Sequence, residues 1–227
     1  MVVLASIAMT SSPRDARRRR RRPVLVPVAL AVIAAGIGVT AIFGGLKEAP
    51  EEPPPTARPG ETVDQGAFHT QFIKAVDTVE RNEFGRTKRY LNLVLKVTNM
   101  GDETASVGVA HEPGRPWSVF SGLAGSLLAI EPKVGQEPSP RVHVLSYGVK
   151  SQQLHPGITT TVVVQYELDP GAVAPDSVTL DVGRFVYQEI GMRDQGNAWQ
   201  LEMKEDSDPA VPVVATRITL PVRQEEA

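Results

Sequence analysis

Four histidines, His69, His111, His143 and His155, are the first side chains in this 227-residue chain that could bind a metal or move a proton. Zinc and general-base sites need such groups in sets that one element can aim together, as in HExxH, where two imidazoles four residues apart share a helical face. These four stand singly. His69 and His143 fall on expected strands and His155 in a turn, where solvated or hydrogen-bonded imidazoles are the rule. The acidic run Glu205-Asp206-Ser207-Asp208 offers carboxylates to a hard cation, but it lacks the glycine and distal glutamate of a dedicated calcium loop and reads as a solvated turn. Cysteine is absent, and neither GxSxG nor SxxK occurs, so the usual nucleophile arrangements are missing. Gly36-Ile37-Gly38-Val39-Thr40-Ala41 spells a GxGxxA fingerprint, yet it lies within an apolar run with no strand before it, and the match is textual only. What remains is the chemistry of binding. Trp117 and Phe120 follow Gly114-Arg115-Pro116 in a connecting segment, where aromatic residues are frequent binding anchors. The alternative is that they cap the open end of a core, and Trp199 admits the same two readings. No catalytic residue, cofactor or metal ligand is assigned, and the chain is expected not to be an enzyme.

The elements that would position such anchors begin with a charge asymmetry. Arg14 and Arg17 to Arg22 against Asp15 give the first 22 residues a formal +6, which against a total of −2 leaves −8 on the rest. Directly after the arginines, Pro23 to Leu46 contain no ionisable side chain. As a helix, 24 residues at 1.5 Å each reach roughly 36 Å, enough to cross the hydrocarbon of a bilayer with some tilt. Backbone amides in lipid must be satisfied internally, so helix is the conformation a lone span can take, and Pro23 and Pro27 fall near its start, where a missing N–H costs least. Flanking arginines are retained on the cytoplasmic side, so residues 1–22 are expected to be a cytoplasmic tail, 23–46 a transmembrane helix, and the C-terminal part extracytoplasmic. Arg17, Arg18, Arg19, Arg20, Arg21 and Arg22 would hold anionic headgroups at about 1 kcal/mol each. A nucleic-acid tail needs the same charge but not the abutting apolar run, so no nucleic-acid partner is expected. A cleaved signal peptide competes, since Val39-Thr40-Ala41 suits a peptidase, but the apolar run exceeds the usual 7 to 15 residues or so of such signals. Either Met1 or Met9 could be the start.

Residues 47–62 include EAPEEPPPTARPG, whose prolines favour an extended, stiff stalk of about 3.1 Å per residue. Beyond it, 63–227 alternates short apolar/polar runs with Gly, Pro, Asn and Asp. In YLNLVLKVTNMGDE, Leu91, Leu93, Leu95 and Val97 share one face, and Asn99 to Asp102 supply a turn. In ITTTVVVQYELDPG, Val162 and Val164 share a face with Ile158, Thr160, Tyr166 and Leu168, after a Leu154-His155-Pro156-Gly157 turn. Further strands are expected over Phe68–Val79, Ala105–Ala110, Leu127–Glu131, Arg141–Ser146, Val178–Tyr187 and Val213–Val222. Residues 117–130 also fit one helical face, although their glycines and serines disfavour helix. Gln195-Gly196-Asn197 suits a hairpin tip. Without cysteine, neither a disulfide nor a thiol-linked lipid is available, and this part must be stable from its own core.

Tyr90–Glu103, Leu154–Leu168 and the closing VVATRITLPV (Val213–Val222) resemble the membrane-anchored extracytoplasmic immunoglobulin-like domains of unknown function found in many bacterial single-pass proteins and lipoproteins. The resemblance implies an all-β, immunoglobulin-like antiparallel β-sandwich preceded by one N-terminal transmembrane helix. It carries over no catalytic residue, and the lipid-anchoring cysteine of many such proteins is missing here. The expected role is a non-catalytic binding or interaction module of the cell envelope, with an unknown envelope protein or polymer as partner and the bilayer contacted through residues 23–46. An accessory subunit of a membrane complex and an envelope enzyme are the alternatives.

Overall fold

The computed structural model describes residues 27–30, 33, 35, 52–81, 85, 87–112, 114–118, 122–135, 139–146, 148–190, 196–205 and 207–224. The chain divides into two compact units, Met1–Glu52 and Pro53–Ala227. In the first, Pro27–Leu30, Ile33 and Ala35 are helical and exposed. No helix among the described residues is long and apolar enough to cross a membrane. Most of the expected span 23–46, the arginines before it and the GxGxxA stretch lie outside the described residues.

The second unit is a β-sandwich. Its strands are β1 (Thr56–Ala57), β2 (Thr62–Asp64), β3 (Phe68–Arg81), β4 (Thr87–Asn99), β5 (Ala105–Ser106), β6 (Leu127–Glu131), β7 (Arg141–Ser146), β8 (Val149–Ser151), β9 (Gln153–Leu154), β10 (Thr159–Glu167), β11 (Ser177–Gly183), β12 (Phe185–Glu189), β13 (Asn197–Leu201) and β14 (Val214–Gln224). One layer runs β6-β11-β14, with β1 parallel to β14. The other runs β3-β4-β10-β7-β8, with β2 on β3. The end of β14 crosses between them: Val222–Gln224 pair in parallel with Ala75–Asp77 of β3, while its earlier residues stay antiparallel to β11.

Alternation explains the core. Leu91, Leu93, Leu95 and Val97 on β4 are fully buried, as are Val162 and Val164 of the paired β10, and they meet Val178, Leu180, Val182, Ile218 and Leu220 from the other layer in one cluster. A bulge between Phe72 and Lys74 pushes the extra residue, Ile73, toward solvent and keeps Phe72 and Ala75 inside.

The structure departs from expectation at three places. The expected strand Ala105–Ala110 forms only at Ala105–Ser106, which pairs with β9, and residues 107–110 lie outside any strand. The stretch 47–62 is not wholly a stalk: Pro55 O accepts from Arg217 N (2.8 Å) and Thr216 Oγ1 (3.0 Å), and β1 pairs with β14, so the compact unit starts at Pro53 rather than residue 63. Prolines lack a donor but keep their carbonyl, and at a sheet edge that suffices. The run Val178–Tyr187 is two strands. At Gly183 the register shifts, its N–H goes to Ser126 O (2.8 Å), and the chain leaves β11 to open a separate hairpin, β12–β13.

Candidate functional site

That hairpin forms one wall of a cleft of about 860 Å³. The opposing lining comes from the loop after β4 (Asn99, Gly101 to Thr104) and from residues 105–118, with Phe68 and Phe185 at the floor. Each wall is held by a buried polar side chain, the loop wall by Asn99 and the hairpin wall by Gln65.

Asn99, almost fully buried, holds the first. Its Nδ2 donates to Glu103 O and Leu154 O, both at 2.8 Å, and its Oδ1 accepts from Gly101 N at 2.9 Å. The loop that carries Asp102 and Glu103 is thereby fixed to the turn before β10, where Gly157 N donates to Asn99 O (2.9 Å). Gln65, also fully buried, holds the second. Its Nε2 donates to Ser126 Oγ (2.7 Å) and Gly183 O (2.8 Å), and its Oε1 accepts from Thr70 Oγ1 (2.6 Å). Its backbone carbonyl accepts from Phe185 N (2.8 Å), which anchors the first residue of β12. Phe185 meets Phe68 edge-on, 5.5 Å between ring centroids. Gly66, at φ +77°, is a required glycine: a Cβ there would sit 2.2 Å from Phe185 O and 3.1 Å from Trp199 Cζ3.

The aromatic groups fall into two pairs. Tyr187 and Trp199 are cross-strand partners in the hairpin, 5.3 Å apart and tilted by 55°, and they are 59% and 36% exposed. His111 stacks on Trp117 at 3.5 Å and 13°. Burial lowers the pKa of His111, with Glu112 opposing, so this imidazole is neutral at pH 7. Neither indole N–H has a protein acceptor among the described residues. The acidic side chains are Asp102, Glu103 and Glu112, and the one described guanidinium, Arg115, is bound to Glu112 at 2.6 Å.

Trp117 therefore lines the cleft and also packs, half-buried, against the edge of the core. Phe120 lies outside the described residues. The sequence leaves Trp199 open to two readings and marks no binding role for Tyr187, Asp102 or Glu103; the signal it offers for the pair is the alternation in Phe185–Glu189, which sets Tyr187 opposite Trp199. His69, His143 and His155 lie apart on β3, β7 and beside the Pro156 bridge, and no group of metal-ligating side chains occurs among the described residues. Of the acidic run 205–208, Ser207 closes a turn, with its hydroxyl donating to Lys204 O and accepting from Val211 N.

No family model matches this chain, and no curated protein does. A solved structure of an uncharacterized β-sandwich protein from Clostridium difficile 630 is similar over 59% of this chain and 92% of that one, at 11% identity and a TM-score of 0.36. A superposition that loose carries no argument about this chain.

Proposed function

We propose that this protein is a non-catalytic binding module of the cell envelope, held by a single membrane span and engaging its partner through the aromatic cleft of an immunoglobulin-like sandwich. The observation that carries the binding role is the cleft itself: two indoles whose N–H donors meet no acceptor among the described residues, beside a loop held by Asn99. Pre-ordered walls lower the entropy lost on association, and aromatic anchors supply area at few rotors. The anchoring role rests on sequence: the uncharged run 23–46 abuts Arg17 to Arg22, which favours a cytoplasmic N-terminus and an outer sandwich.

Two measurements test this reading. Protease added to intact cells should digest a C-terminal tag, and a protected tag would refute the topology. A pull-down with residues 53–227 should capture an envelope component that Trp199→Ala and Trp117→Ala both release; capture that survives both substitutions would refute the cleft. Loss of the partner only when residues 23–46 are exchanged for polyleucine would identify an accessory subunit that contacts its complex through the span.

A further inference from the structure

The cleft has a sign. Among its described side chains Asp102, Glu103 and Glu112 carry three negative charges, and the single cation, Arg115, is already committed to Glu112. Asp102 and Glu103 are exposed, and neither carboxylate has an ion-pair partner among the described residues. A Cβ placed on Gly101, the residue before Asp102, would lie 3.6 Å from Trp199 Nε1, so the loop backbone comes against the indole, and Asp102 and Glu103 line the same cleft. Aromatic faces are the negative regions of their rings, and a cation within about 6 Å of them gains roughly 0.5–2 kcal/mol. Carboxylates lining the same cleft as the Trp199–Tyr187 pair add to that attraction and repel phosphates and other anions.

The cleft also has a backbone. Gly108 to Ala110 run through it outside any strand, and Val109, 66% exposed, makes no hydrogen bond through its N–H or C=O among the described residues. An extended chain laid alongside could use both groups, as peptides do at free edges, and aromatic-lined grooves are a known seat for extended segments. The volume, about 860 Å³, is near the upper end for one small molecule and suits several residues of a chain.

We propose that the cleft holds an extended segment of a partner polypeptide bearing a Lys or Arg, whose cationic head sits between the Trp199–Tyr187 pair and the carboxylates of Asp102 and Glu103. This rests on the cleft being the binding surface, and it adds the chemical class of the ligand.

Both tryptophans of the chain line the cleft, so intrinsic fluorescence of the full-length protein in detergent micelles reports directly on it. The probes are three capped nonapeptides of alternating Pro and Ala with a central Arg, Gln or Glu, and chitotetraose as a saccharide. The Arg peptide is expected to bind at least tenfold tighter than the Gln peptide, with the Glu peptide weakest. Raising salt from 50 to 500 mM should erode most of that order, since exposed charges are screened. The double variant Asp102→Asn/Glu103→Gln should remove the Arg preference, so that the Arg and Gln peptides bind the variant equally; both side chains are exposed, and unchanged near-UV circular dichroism verifies the fold. Equal affinity for Arg and Glu peptides, or a preference that survives the double variant, overturns the charge assignment. Chitotetraose binding tighter than every peptide overturns the polypeptide assignment while leaving the cleft a binding surface. If no probe perturbs either indole at millimolar concentration, the ligand class and the cleft's binding role both fall.

Discussion

Gln65→Leu tests whether a buried amide, rather than the apolar core alone, ties the two layers together where the cleft begins. Leucine fills a similar volume but removes three side-chain bonds, to Ser126 Oγ, Gly183 O and Thr70 Oγ1. Each is worth about 1 kcal/mol net, and the Thr70 hydroxyl, itself fully buried, is left with its donor stranded at a further cost of about 1–3 kcal/mol, so the loss should be about 4–6 kcal/mol. Against a typical stability of about 5–15 kcal/mol, that is a large fraction. For a unit of this size it corresponds to a Tm drop of roughly 8–24 °C. Urea unfolding of residues 53–227, followed by far-UV circular dichroism, should show a lower midpoint at an unchanged slope. Adding Thr70→Val removes the stranded donor and should return about 1–2 kcal/mol, although one more polar group has been deleted. A single variant within about 1 kcal/mol of the parent, or a double variant less stable than the single, would show that the amide is not what joins the layers.

Three other perturbations have worked-out directions. Gly66→Ala should cost well over 2 kcal/mol and shift the Trp199 emission, because its Cβ meets the Phe185 carbonyl at 2.2 Å, whereas Gly148→Ala, at φ +81° with open space around it, should cost only about 1 kcal/mol; equal costs in urea unfolding would refute the close-approach argument. Leu93→Ala, at a fully buried position of β4, should lose about 2–5 kcal/mol without changing the affinity of any cleft ligand, measured by unfolding and by titration. Acidification should destabilise the sandwich: His111 and His143 both sit below their ordinary value near 6.5, chiefly through burial, with Lys150 adding to the shift at His143 while Glu112 and Glu80 oppose. The unfolded chain then binds more protons, so this stabilisation is complete above about pH 6.5 and is lost as the pH falls toward the folded values. Tm should fall from pH 7.5 to 5.5, and His111→Gln/His143→Gln should flatten the slope; a rise of Tm on acidification would contradict the assignment.

Much of the sandwich was legible because its central strands alternate strictly. Leu91, Leu93, Leu95 and Val97 can face only one way together, and the structure buries all four. Leu127–Glu131 and Arg141–Ser146 end where Gly, Pro and Ser punctuate the chain, and those bounds match the strands. The walls of the cleft were less legible. Asn99 looks like an ordinary turn residue, and nothing local says that its amide reaches Leu154 O, 55 positions on. Gln65 bonds Gly183 O across 118 positions, a pairing that only closure of the two layers creates. β1 was hidden for a different reason: two residues in a proline-rich stretch have no period to read, and the pairing depends on β14 presenting an open edge.

The same contrast bears on why the site is where it is. The main layers bury their large apolar side chains inward, which is what stability alone requires, but β12–β13 is paired with neither and turns an aromatic cross-strand pair outward. Threonine or valine at 187 and 199 would serve the hairpin's backbone preference with far less apolar surface in water. Tyr187 at 59% exposure and Trp199 at 36% instead leave ring faces uncovered, while Gly66 is kept side-chain-free so that the indole can lie against the backbone. A half-exposed aromatic pair sharing a cleft with two carboxylates that have no ion-pair partner among the described residues is a poor arrangement for folding and a good one for desolvating a cation. Trp199→Thr separates the two: it should leave the unfolding free energy of residues 53–227 within about 1 kcal/mol of the parent while abolishing capture of the partner, and a stability that collapses with it would mean the indole is there to hold the hairpin.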